Sequence, residues 1–395
     1  MTASYRLSSL CITTSIFSSH GTRQMKVRLT GFGGLSTFIR PPLHRLKSTP
    51  CALSSSVLFS SSSPPASQSH QVPLFLRVPK YATPVSDLQK WYSWASDLAA
   101  SVGSTFLVSD NGPDSSLLCR ELRWLLEDAL QEDIDPSLIH QVGVNSAQRE
   151  VNLKTGIEDL YKLWIQRIEE RRPFQYIVGC EHWRDLVLCV QEGVLIPRPE
   201  TEIIIDLVAD VISSNRVLKE GFWADLGTGS GAIAIGTARA LGGCGTVIAT
   251  DLSPVAVKVA SFNVQRYGLQ GVVEVREGSW FEPLKDVQGK LAGLVSNPPY
   301  IPSENIPGLQ AEVGRHEPKL ALDGGVDGMD HLLHLCQGAA SMLRTGGFFA
   351  LETNGEKQSK LILDYMEKEH RGTFYNAKAV PDFAGVLRFV TAFRV

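Results

Sequence analysis

Not one aspartate or glutamate precedes Asp87. A folded surface mixes both signs of charge, so an acid-free stretch of this length excludes an ordinary domain there. The same stretch carries nine lysines and arginines, with serine runs at 54–56 and 60–63. That is the composition of an organellar address, and residues 1–75 are expected to be a disordered transit peptide. Its hydroxyl-rich character and the Pro64-Pro65 break favour the plastid (chloroplast) stroma, with the mitochondrial matrix as the alternative.

Long apolar runs are missing too. The richest candidate, 203–212, is interrupted by Asp206 and Asp210, so no membrane span is expected. Cys11, Cys51, Cys119, Cys180, Cys189, Cys244 and Cys336 form no C-x-x-C pair and no cluster with histidine. Free thiols and no metal site follow. Beyond the leader there is no basic run, and the net charge is -3, which gives no global attraction to nucleic acid. What remains, 43% hydrophobic and 20% charged, is enough for a sizeable core in two domains.

Residues 83–172 read as a helical bundle. Leu88, Trp91, Trp94 and Leu98 recur at helical spacing, as do Leu118, Leu122, Leu125 and Leu126, and then Leu160, Leu163, Trp164 and Ile168. Strand-like pieces at 176–178 and 186–190 suggest a β-hairpin linker over 173–200. From 201 to 395 the pattern becomes alternating strands and helices. Strands are expected at 222–226, 246–250, 272–275, 291–296, 347–351 and 386–393. Helices are expected at 232–241, 329–343 and from Pro254, where Ser253 is an N-cap. Such alternation demands an α/β fold, a mainly parallel sheet covered on both faces.

Between the first of these strands and its helix lies Asp225-Leu226-Gly227-Thr228-Gly229-Ser230-Gly231. Glycines let the backbone turn sharply beside a ligand, and the loop leads into a helix N-terminus. Asp251 follows at the end of the second strand, where a carboxylate can accept both hydroxyls of a ribose. A dinucleotide and S-adenosylmethionine both present that ribose, so these residues alone do not separate them.

Asn297-Pro298-Pro299-Tyr300 follows the fourth strand, whose carboxyl end should face the ligand crevice. An amide or aromatic amine is a poor nucleophile because its lone pair is delocalised. Methylating it calls for acceptors that hold the NH2 and stabilise positive charge as it develops. The Asn297 side-chain oxygen and the Pro298 carbonyl can be those acceptors. Neither proline brings an N–H to compete for them, and Tyr300 offers a flat face. A plain Asn-Pro turn is the bland alternative.

These residues resemble the HemK/PrmC family of release factor glutamine methyltransferases. The resemblance runs from about Pro173 to the C-terminus. It rests on Ile196-Pro197-Arg198-Pro199-Glu200-Thr201-Glu202, the Asp225–Gly231 loop, Ser279-Trp280-Phe281, Asn297–Tyr300, Glu317-Pro318 and Leu320-Ala321-Leu322-Asp323-Gly324-Gly325. It implies a seven-stranded S-adenosylmethionine-dependent methyltransferase (Rossmann-like) domain whose last strand is antiparallel, preceded by a helical domain. It also implies that Gly227, Thr228, Gly229, Ser230 and Gly231 wrap the cofactor's methionine part, that Asp251 holds its ribose and that Trp280 lies by its adenine. Asn297, Pro298, Pro299 and Tyr300 would grip the glutamine of the Gly-Gly-Gln motif in a class-one organellar peptide chain release factor. The Thr353-Asn354-Gly355 loop and the 382–388 stretch depart from the family pattern. A monomer is expected, with no direct nucleic-acid contact. The rivals are an N6-adenine methyltransferase on DNA or RNA, methylation of a ribosomal-protein glutamine, and a non-enzymatic cofactor-binding scaffold.

Overall fold

The computed structural model describes residues 72–132, 134–136 and 149–395, so nearly all of the expected leader lies outside the described residues. Its end does not. Leu74–Leu76 forms a 3-10 turn with Leu74 fully buried. The expectation of disorder through residue 75 is therefore corrected, because this leucine has an apolar core to enter.

That core belongs to a helical region. A short strand β1 (Tyr81–Pro84) leads into α1 (Val85–Val102), α2 (Thr105–Asp110) and α3 (Ser115–Ala129). After β2 (Glu150–Leu153) comes α4 (Ile157–Ile168). Leu88, Trp91, Ala95 and Ala99 of α1 are buried at three- and four-residue spacing against Leu118, Leu122 and Leu125 of α3. Asp114 caps α3 by accepting from the Leu117 N–H at 2.8 Å. The buried Trp164 indole donates to the Ala95 carbonyl at 2.9 Å, tying α4 to α1. β1 and β2 pair antiparallel, Tyr81 opposite Leu153, an element the helical periodicity does not announce.

The strand expected at 176–178 is a helix, α5 (Phe174–Val178). Pro173 opens it, Gly179 closes it at φ 80°, and burial of all four of Phe174, Tyr176, Ile177 and Val178 outweighs their strand preference. The hairpin then forms from β3 (Cys180–Trp183) and β4 (Leu186–Cys189).

The alternating region comprises α6 (Ile203–Ser214), α7 (Arg216–Lys219), β5 (Phe222–Leu226), α8 (Ala232–Leu241), β6 (Thr246–Asp251), α9 (Pro254–Arg266), β7 (Val273–Glu277) and β8 (Leu291–Ser296). It continues with α10 (Ala311–His316), α11 (Asp330–Met342), β9 (Leu343–Glu352), α12 (Glu356–Glu369), β10 (Phe374–Pro381) and β11 (Leu387–Arg394). One seven-stranded sheet runs β10-β11-β9-β8-β5-β6-β7. β5 through β9 are parallel, and the last strand, β11, is antiparallel to both β9 and β10. Successive strand residues point to opposite faces. Phe348 and Ala350 join the core with α6 and α8, while Phe349 and Leu351 join the core with α11 and α12. This is the expected α/β architecture with both faces covered.

Candidate active site

β5 and β8 are neighbours, with Leu226 opposite Ser296. The Ser296 hydroxyl donates to the Leu226 carbonyl at 2.6 Å and fixes the two strand ends together. From β5 the chain turns toward β6, and from β8 it turns the other way, toward β9. The loops that follow must part, and an open α/β sheet binds ligands where they do. A cleft with about 1090 Å³ of open space lies there, lined by Gly227, Gly229, Asp251, Trp280, Asn297 and Pro299 among others.

On the β5 side, Gly227, Gly229 and Gly231 have φ of 73°, 56° and 85°, a run of left-handed backbone that only glycine adopts readily. The loop is pinned from below. Thr228 donates to Asp225 Oδ2 at 2.6 Å, and the Ser230 carbonyl accepts from Asn263 at 2.8 Å. Asp251 takes the Gly229 N–H on Oδ2 at 2.8 Å and the Ser253 N–H on Oδ1 at 2.9 Å. Each of its oxygens keeps a second lone pair. Asp225 is fully buried, and burial pushes its carboxyl up to about 7 against the opposing Thr228 and Ala234 hydrogen bonds. Its Oδ1 has no hydrogen-bond partner among the described residues.

Trp280 forms a wall on this side. It holds φ 43°, rare for a bulky side chain. A Cβ on Gly227 would stand 3.5 Å from its indole, and the His331 ring lies 5.4 Å away, tilted toward it. An aromatic wall, a carboxylate with lone pairs to spare and a left-handed glycine turn fit a ligand made of a flat base, a ribose and an amino-acid tail.

On the β8 side, Asn297 and Pro299 line the cleft, whereas Pro298 is buried and neither it nor Tyr300 is among the lining residues. Asn297 Nδ2 donates to Thr201 Oγ1 at 3.0 Å, and its Oδ1 accepts no hydrogen bond from the described residues. Tyr300 turns its hydroxyl to Glu352 Oε1 at 3.2 Å, and burial raises its pKa. Gln358 of α12 donates to the Tyr300 carbonyl at 2.9 Å.

Two further motifs, and Gly193 to Leu195 just before the first of them, complete the cleft. Gly193, Val194, Leu195 and Pro197 form one wall, and Pro318, Leu320 and Ala321 another. Glu317 joins the two: Oε1 takes Arg198 at 2.6 Å and Oε2 takes the Ile196 N–H at 3.2 Å. Two motifs 119 residues apart thus form one structural unit. The segment carrying Glu317 is held in turn by the helical region. Glu312 accepts from Arg167 at 2.9 Å and from Arg171 at 2.6 Å, while Glu121 completes Arg167 at 2.6 Å and Asp110 completes Arg171 at 3.0 Å. Both arginines and both glutamates are buried. The described residues contain no His/Cys/Asp/Glu group that could hold a metal and no helix long and apolar enough to cross a membrane.

A family model, the methyltransferase small domain, matches residues 204–308. The chain is 36% identical over 308 residues to a release factor glutamine methyltransferase of Thermosynechococcus vestitus, covering 77% of this chain and 97% of that one. It is 35% identical over 309 residues to the namesake of a Synechocystis species, 78% and 96% covered. It is 44% identical over 241 residues to that of Gloeobacter violaceus, 61% and 81% covered. With nearly the whole length of two such relatives matched at 36% and 35% identity, the protein belongs to the release factor glutamine methyltransferase family.

Proposed function

We propose that this protein transfers a methyl group from S-adenosylmethionine to the side-chain amide nitrogen of the glutamine in the Gly-Gly-Gln motif of a class-one release factor. The observation that carries the reading is Asn297, whose Nδ2 is engaged by Thr201 while Oδ1 is left to accept, across the switch point from the glycine loop. When bound, the cofactor supplies an electrophilic methyl on a sulfonium.

The chain's own residues do the rest. Gly227 to Gly231 would bring backbone close to the methionine part, Asp251 would take the ribose and Trp280 would lie by the adenine. Asn297 Oδ1 and the Pro298 carbonyl hold the glutamine NH2 along the line of transfer and favour the charge that grows on it. Pro299 closes the cleft to water. Tyr300 does not line the cleft; with its hydroxyl on Glu352 and its carbonyl held by Gln358, it braces the loop from behind. The proton leaves after transfer, so no strong base is needed.

An organellar release factor is the intended substrate, supported by the acid-free leader and by the cyanobacterial relatives, which favour the plastid. The division into a helical domain (83–172), a hairpin linker (173–200) and a catalytic domain (201–395) is supported by the separate cores on either side of the hairpin.

The deciding experiment is mass spectrometry of the Gly-Gly-Gln peptide after incubating release factor, protein and S-adenosylmethionine. A single added methyl on glutamine is expected, and label transferred to DNA or rRNA instead would overturn the reading. Asn297→Ala should abolish transfer and leave affinity for S-adenosylhomocysteine within about threefold.

A further inference from the structure

A carboxamide has two ends of nearly the same shape, and only its oxygen can accept from a substrate NH2. Which end Asn297 presents depends on Thr201. That hydroxyl has one proton and two lone pairs. If its proton goes elsewhere, its oxygen faces Asn297 as an acceptor, Nδ2 must turn to it, and Oδ1 points away. This is the observed arrangement.

The buried acceptor on offer for that proton is Glu352, whose Oε2 is otherwise without a partner among the described residues. This residue ends β9, and because Ser296 pairs with Leu351 the next residues, Asn297 and Glu352, come side by side. Its side chain is almost completely buried, at 1% exposure. Oε1 takes the Tyr300 hydroxyl. Oε2 is buried and has no hydrogen-bond partner among the described residues, and Thr201 is among the neighbours that favour the charged carboxylate.

We propose that Glu352 is a positioning residue for methyl transfer: one buried carboxylate holds both ends of the Asn297–Tyr300 loop, Tyr300 directly and Asn297 through Thr201, and so keeps Asn297 Oδ1 turned to the substrate amide. The proposal rests on the assignment of Asn297 as the substrate's acceptor.

The groups that face Glu352 come from three elements. Tyr300 stands on the loop after β8, Glu200 and Thr201 on the turn before α6, and Arg388, itself paired with Asp382 at 2.9 Å, on β11. Burial, with help from Glu200, pushes the carboxyl up to about 7, and Thr201, Arg388 and Tyr300 oppose that rise. Protonation therefore occurs within the working pH range. A protonated Glu352 becomes a donor toward Thr201 and frees the threonine proton to turn to Asn297. Both orientations of the carboxamide are then served, and the productive one is no longer enforced.

The test is a pH profile of kcat on release factor, with cofactor and protein substrate saturating. In the wild type kcat should rise through about pH 7 to a plateau. Glu352→Gln offers an NH2 to Thr201 at every pH, so its profile should be flat and its plateau at least about tenfold lower, with KM for S-adenosylmethionine near the wild-type value. Thr201→Val should fall likewise, while Thr201→Ser, which keeps the hydroxyl, should recover most of the loss. A Glu352→Gln plateau within about twofold of wild type, or a persisting acid limb, would overturn the proposal. Should Glu352→Gln fail to fold, the Thr201 pair decides: equal turnover of the valine and serine variants refutes the relay. Asn297→Ala separates the two levels. If that variant stays active the site assignment itself fails, whereas an inactive Asn297→Ala beside a normal Glu352→Gln removes only the positioning role.

Discussion

Glu312→Ala asks how firmly the helical region grips the catalytic cleft. The Glu312 carboxylate accepts from Arg167 Nη1 at 2.9 Å and from Arg171 Nε and Nη2 at 2.6 Å each. Its removal leaves Arg167 with Glu121 and Arg171 with Asp110 alone. Breaking a buried ion pair costs about 3–5 kcal/mol, because the orphaned charge stays out of water. Each arginine here retains one acid, so the low end applies, about 3 kcal/mol. In a chain of this size, whose unfolding entropy is large, that lowers Tm by roughly 4 °C. The segment that loses its anchor also carries Pro318, Leu320 and Ala321 into the cleft wall. KM for release factor should therefore rise several-fold, while affinity for S-adenosylhomocysteine changes less.

Differential scanning fluorimetry and initial rates measure both effects. Burial alone would raise the Glu312 pKa, but Arg171 and Arg167 hold it below the ordinary carboxylate range. A depressed folded value gives stability that is complete above the unfolded pKa and is lost as pH falls through the folded one. The gap between wild type and Glu312→Ala should accordingly narrow in acid. A Tm shift under about 2 °C at neutral pH would refute the reasoning, since no buried charge could then have been left uncompensated.

Two further outcomes follow from the cleft. Gly227→Ala puts an L-residue at φ 73° and a methyl 3.5 Å from Trp280, so calorimetry should find S-adenosylhomocysteine bound about tenfold more weakly, with about 1–2 kcal/mol lost from folding. Unchanged affinity would show that the cofactor does not lie over this turn. Asp225 is raised in the folded state to about 7, so the native protein binds more protons than the unfolded chain between about pH 4 and 7 and loses stability as pH rises through that window. Asp225→Asn removes that loss. Its urea midpoint relative to wild type should climb between pH 5 and pH 8, and a constant difference would contradict the assignment.

What could be read from the chain follows from how local each signal is. Leu291–Ser296 is apolar enough to be a strand buried on both faces, and all six residues are buried. The glycine loop and the Asn-Pro-Pro-Tyr turn are contiguous, so their chemistry is visible without a fold. β10 escaped because, through Phe374–Pro381, no residue is fully buried and Asn376 and Lys378 break any alternation. β1 and β2 escaped because two four-residue strands some seventy positions apart leave no periodic trace. Thr201 and Glu352 illustrate the same limit within the site. They reach Asn297 only because β8 and β9 are in register and the turn before α6 crosses above them, and nothing in the sequence near Asn297 hints at either. The strand expected at 176–178 shows the converse, a local preference overridden by burial.

The adjacency of β5 and β8 has a kinetic consequence. The Ser296–Leu226 hydrogen bond joins residues 70 apart in the chain, and the connection between their strands passes through two other parallel strands first. Contacts of such separation form late, because the intervening loop entropy is lost before they are made. A partly folded chain would hold one half of the binding crevice and not the other. S-adenosylmethionine then meets no receptor until the sheet has closed, and once it does, it stabilises only the finished protein, by RT ln(1 + [L]/Kd). Cofactor supply thereby becomes a brake on unfolding rather than a template for folding.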